Sequence, residues 1–207
     1  MTQRSAPAGL ADGEPFAGEL VAFIDETSPQ MGAGIYYVLT SAVTLDVAAV
    51  TLELELLFAD TPNRTRGFHW HREGPAARQR MIDIVTRSGV IARSRHRSVA
   101  RNKQIPARLD LLCALADDLV AEGIDHLVIE SGDTVTNNKD KTALLTHFEP
   151  HGGVPFAYDW RSKNEKVLWI PDAINGALHA YYTAGDPSWF KQLCDAGVLD
   201  GEPVYTA

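Results

Sequence analysis

Only two cysteines, Cys113 and Cys194, occur in the 207 residues, and neither has a CxxC partner or a nearby histidine. That scarcity argues against a disulfide framework and a cysteine zinc site. In the apolar contexts LLCALA and FKQLCDAG both read as buried free thiols in a reducing cytoplasm. Long apolar runs are missing too: nothing approaches the roughly 20 residues that span a bilayer, so no membrane partner is expected. The opening MTQRSAPAGLADGEPFAGEL is rich in Ala, Gly and Pro and has no run of signal-peptide length. Residues 1–18 are therefore expected to form a disordered lead-in, and 19–207 one cytoplasmic α/β domain. There is no Walker loop, GxGxxG, HExxH or GxSxG, which removes the usual sequence support for P-loop hydrolysis, dinucleotide redox chemistry, zinc proteolysis and serine hydrolysis.

What is present is an ordinary globular composition, 45% hydrophobic and 22% charged, with a net charge of −8. The charge is unevenly spread. Residues 64–108 carry twelve basic residues against two acidic ones, Glu73 and Asp83. A basic middle inside an acidic chain suits a phosphate-binding groove beside a carboxylate metal site, and equally a solvated arginine-rich surface. Within it, Arg93, Arg95, Arg97, Arg101 and Lys103 are the candidates for contact with nucleic acid.

The pattern of elements is α/β. Leu20 to Thr27 (LVAFIDET) and Gly34 to Leu45 (GIYYVLTSAVTL) read as strands joined through SPQMGAG, an antiparallel hairpin. Asp46 to Asp60 starts with a capping aspartate and reads as a helix, although TLELELL also suits a strand. Pro75 to Ser88 is helical, and Gly89 to Val99 is a strand. Pro106 to Glu122 forms a helix with Leu109, Leu112, Leu115, Ala116 and Leu119 on one stripe. Ile124 to Ile129 is a strand ending in Glu130, Asn138 to Phe148 a helix, Val154 to Trp160 a strand, and Pro171 to Thr183 and Pro187 to Ala196 two last helices. The expected architecture is a mixed central sheet with flanking helices.

Acids punctuate this pattern. Asp25 and Glu26 stand at the end of the first strand, Glu130 at the end of a later one, and Asp172 in the first turn of a late helix. An α/β sheet can gather such positions at the carboxyl ends of its strands. Mg²⁺ and Mn²⁺ take hard oxygen ligands, and paired ions about 3.5 to 4 Å apart serve phosphoryl transfer. Each acid alone has a plainer reading, as a turn residue after a strand or as a partner of the helix macrodipole. At about 100° per residue, Asp172, Asn175, Gly176 and His179 share one helical face. GFHWHRE puts His69, His71 and Glu73 at alternate positions, one face if the segment is a strand, suited to a polar face, to phosphate contacts or to a transition metal. The four tryptophans, Trp70, Trp160, Trp169 and Trp189, suit the core or a surface groove better than base stacking.

FIDETS at 23–28, VIESGDTVTNNKDKTAL at 128–144 and LWIPDAINGAL at 168–178 together resemble a widespread, largely uncharacterised bacterial and phage family. Its members open with an Ile-Asp-Glu-Ser-Gly-like strand and close on a helix with a Gln-x-Ala-Asp or Trp-Ile-Ala-Asp-like motif. The resemblance implies a ribonuclease H-like fold and a nuclease dependent on Mg²⁺ or Mn²⁺, with Asp25 as the bridging carboxylate and Glu130 and Asp172 as further ligands. Glu26 would point to the other face of its strand. Asp140 would be an extra ligand or substrate contact, and His69 and His179 are secondary candidates. Thr27-Ser28 replaces Ser-Gly, and Pro171 replaces a small residue, so close backbone approach near Asp25 is not expected to match the family. Two other functions fit the same residues: a ribonuclease H-like binding or assembly module of a phage or mobile element that has lost its chemistry, and a hydrolase of a small phosphorylated molecule.

Overall fold

The computed structural model describes residues 20–59, 67–202 and 204–205; the expected lead-in at 1–18 lies outside them. β1 (Val21–Thr27) turns through β2 (Gln30–Met31) into β3 (Gly34–Val43), the expected hairpin. The helix α1 (Val47–Ala59) follows, with the Asp46 carboxylate accepting from the Ala49 N–H at 2.8 Å, so the capping aspartate decides the helix-or-strand ambiguity of TLELELL. Then come α2 (Pro75–Arg87), β4 (Ile91–Val99), α3 (Gln104–Ala121), β5 (His126–Glu130), α4 (Thr134–Phe148), β6 (Ala157–Arg161), α5 (Trp169–Ala184), α6 (Ser188–Asp195) and β7 (Val204–Tyr205).

The strands lie in the order β6-β5-β1-β3-β4-β7. β1, β3 and β4 form an antiparallel meander, while β5 runs parallel to β1 and β6 parallel to β5. This is the mixed sheet with flanking helices that the sequence pattern implies. β1 is central and buried on both faces, and its alternate residues sort between two cores. Val21 and Phe23 meet the segment leading into α5, whereas Ala22 and Ile24 meet α3 and α4. One face of the sheet therefore carries α1, α2, α5 and α6, and the other carries α3 and α4.

Several expectations shift in detail. α4 begins at Thr134, four residues before the expected start, because Asp133 caps it by accepting from the Thr136 N–H at 2.7 Å. β6 is shorter than Val154 to Trp160 at its start. The buried stripe of α3 takes in Ala107, Arg108 and Leu111 and leaves Leu109 half-buried. GFHWHRE is not a strand: Trp70–Arg72 is a single 3-10 turn. Its alternation is overridden by Trp70, which is buried against Gly176 of α5; a Cβ on Gly176 would come within 2.0 Å of the indole ring. Both cysteines are free and only partly buried. Among the described residues no helix is long and apolar enough to cross a membrane.

Candidate active site

The parallel register sets Ile24 beside Ile129, so the next residues, Asp25 and Glu130, stand side by side at the carboxyl ends of β1 and β5. Alternation turns both toward the face that α5 covers. A cavity of about 400 Å³ opens at these strand ends, lined by Asp25, Glu26, Glu130, Arg108, Lys163, His71 and His179 among others.

Asp25 is buried, and its Oδ2 has no hydrogen-bond partner among the described residues. Burial pushes its carboxyl up to about 6, against the pull of Lys163, the Asn175 amide, Arg108 and His69, all of which favour the charged form. Asp172 lies in the first turn of α5. Its Oδ2 accepts from the Trp70 N–H at 2.8 Å and its Oδ1 is 3.2 Å from His69 Nδ1. Burial, and then the negative charge of Asp25, push Asp172 above the usual carboxylate range. The two acids thus destabilise each other's ionised forms. Glu130 is held differently, by Lys163 Nζ at 2.7 Å from its Oε1.

Behind Asp25 a polar row crosses the sheet. Thr40 is its register partner on β3, and Ser94 is the partner of Thr40 on β4. Thr40 Oγ1 donates to Asn175 Oδ1 at 2.7 Å and lies 2.8 Å from Ser94 Oγ, all three residues being buried. Asn175, one turn after Asp172, is thereby fixed beside Asp25. His71 and His179 pack edge to face at 4.6 Å, and His179 Nδ1 is 3.4 Å from Thr27 Oγ1. Burial lowers the basicity of both imidazoles.

The remaining candidates are placed elsewhere. Glu26 faces α3, where it pairs with Arg108, and Arg108 also holds Asp140 through Nε at 3.0 Å and Nη2 at 2.8 Å. Asp140 is wholly buried, so it serves that ion pair and does not face the cavity as an open ligand. The β4 arginines line the α3 face, opposite Asp25: Arg93 pairs with Glu122, Arg95 with Asp118 through two bonds of 2.6 Å, and Arg97 with Asp110. Each of Arg93, Arg95 and Arg97 thus meets a carboxylate of α3 or of its C-terminal cap, Glu122. Arg101 bonds Gln30, and Lys103 is exposed in the turn before α3. Sequence reasoning missed Lys163, Arg108, Thr40 and Ser94. Arg108 alone left a trace, as a charge on an apolar helical stripe.

The donor chemistry fits the hard divalent ion that the family resemblance implies in one respect: Asp25 keeps a buried carboxylate oxygen without a partner among the described residues. Among the described residues, no three acid, histidine or cysteine side chains converge to ligand spacing. Lys163 holds Glu130, and His69 with the Trp70 N–H holds Asp172.

No protein-family model matches the chain, and no curated protein does. Among solved structures it is similar to a chain of the PCNA:RNase HII complex from Archaeoglobus fulgidus, at 12% identity and a TM-score of 0.46 over 89% of this chain and 81% of that one.

Proposed function

We propose that the protein is a metal-dependent nuclease, hydrolysing phosphodiester bonds at the cavity over β1 and β5, with Asp25, Glu130 and Asp172 holding Mg²⁺ or Mn²⁺. The observation that carries this reading is the Asp25 carboxylate, buried, lacking a partner for one oxygen and facing a second acid across the β1–α5 contact. A fold gains nothing in stability from a buried acid and a largely buried one that repel each other, so their placement is explained by a cation that both serve. A divalent ion bound there supplies charge stabilisation for the phosphoryl group and lowers the pKa of an attacking water. The chain's own residues do the rest. Asn175, fixed through Thr40 and Ser94, sets a polar amide beside Asp25; His69 and the Trp70 N–H orient Asp172; Lys163 places positive charge at the cavity where a substrate phosphate would lie.

The test is Mn²⁺-dependent cleavage of labelled single- and double-stranded DNA and RNA by the wild type and by Asp25→Asn. The variant should fold and lose on the order of 10³-fold in rate, the scale of removing a principal charge-stabilising group. Equal rates in the two proteins would sink the assignment.

A second reading, hydrolysis of a small phosphorylated molecule, is favoured by one observation. The cavity of about 400 Å³ lies within the range of small-ligand pockets, while the β4 arginines that could track a long backbone face α3. Activity on short phosphodiesters without activity on polynucleotides would favour it.

A further inference from the structure

Lys163 enters the carboxylate centre from a direction no motif signals. It sits in the turn between β6 and α5, whose backbone is pinned at two points. The Glu165 N–H donates to the Ser162 carbonyl at 3.0 Å, and the Trp169 indole N–H donates to the Lys163 carbonyl at 3.0 Å. Gly67 packs against the same place, where a Cβ would meet Trp169 Nε1 at 2.8 Å and the Lys163 carbonyl at 3.1 Å. The base of the side chain is fixed while its four-carbon stem is 53% exposed. The ammonium reaches Glu130, lines the cavity, and lowers the cost of ionising both Asp25 and Asp172. Arg108, the other cation of the cavity, is committed to Glu26 and Asp140 on the far face of the sheet.

We propose that Lys163 is the resident cation of this centre in the metal-free protein, and that a divalent ion must displace it. The inference rests on the reading that these carboxylates take such an ion. A compact, strongly hydrated ammonium on a flexible stem is suited to that exchange, since it makes no bidentate fork with a carboxylate. Tethered beside its partners, it competes at a high effective concentration, so the ion's apparent affinity is set by the difference between the two cations. Withdrawal of Lys163 frees the Glu130 carboxylate for the ion. The exchange raises the ion concentration at which the site is half filled, without changing the steepness of binding.

The experiment is calorimetric titration of the full chain with Mn²⁺ at low ionic strength, for the wild type, Lys163→Met, Lys163→Arg and Asp25→Asn. Lys163→Met should bind Mn²⁺ roughly fivefold more tightly than the wild type, the scale of one partly exposed ion pair. The gap should narrow in high salt. Lys163→Arg should stay as weak as the wild type or weaker, and Asp25→Asn should lose binding. Equal or weaker affinity in Lys163→Met, with Asp25→Asn still losing the ion, would overturn the competition and leave the carboxylate site standing. No Mn²⁺ bound by any of the four proteins would overturn the site and the competition together.

Discussion

The two faces of the sheet handle charge in opposite ways. On the α3–α4 face, among the described residues, the one buried acid has its cation: Arg108 is clamped between Asp140 and the more exposed Glu26, and Arg93, Arg95 and Arg97 each meet a carboxylate of α3 or its cap. On the α5 face, Asp25 and Asp172 sit close enough to repel, and a full positive charge that acts on both is a lysine on a flexible stem, paired with Glu130. Balanced charge marks the scaffold, and charge left unbalanced by the fold marks the place where something else binds. The same residue types therefore carry different meanings a few ångströms apart.

The largest effect is expected on the balanced face. Arg108→Met would leave Asp140, wholly buried, without its partner, and should cost roughly 3 to 5 kcal/mol in urea unfolding. Arg108→Met combined with Asp140→Leu should recover most of that loss; a single variant within 1 kcal/mol of wild type, an error scale of such comparisons, would erase the contrast. On the other face the sign reverses. Asp25 has its folded-state pKa raised from 3.8 to about 6, so folded protein keeps a proton in that window which the unfolded chain has released. Wild-type stability should fall as pH rises from about 4 to 6, and above 6 the full cost is present. In EDTA, Asp25→Asn should therefore be more stable than wild type by about 2 to 3 kcal/mol at pH 8, with the two curves meeting below pH 4. A variant that is less stable at pH 8 would mean that the acid is compensated after all. The smallest effect sharpens the comparison: Arg93→Gln breaks a partly exposed pair with Glu122 and should cost no more than about 1 kcal/mol. It should also leave the salt dependence of polynucleotide binding unchanged; a shallower slope would return that arginine to the substrate side.

The sequence made the local part of this legible and left the rest dark for definite reasons. Strand-end acids, the hairpin, the capped helices and the opposite directions of Asp25 and Glu26 follow from periods of two and 3.6 and from short-range capping, and all of these recur in the fold. The pairing of β4 arginines with α3 did not, because it depends on α3 lying across β4, a tertiary fact. GFHWHRE misled for a similar reason: Trp70 is placed by the gap at Gly176, more than a hundred residues away, and not by its neighbours. Lys163 offered no signal at all, since RSKNEK reads as an ordinary polar loop.

The bond between the Trp70 N–H and Asp172 spans 102 positions along the chain. During synthesis, β1 with Asp25 and the Trp70 turn emerge long before α5, so the part of the sheet face beside Asp25 waits for that helix. Any fragment ending before Asp172 lacks the second acid and the wall of the cavity. Formation of the cavity is thus coupled to synthesis of α5, and slow docking of that helix would set the rate at which a newly made molecule completes it.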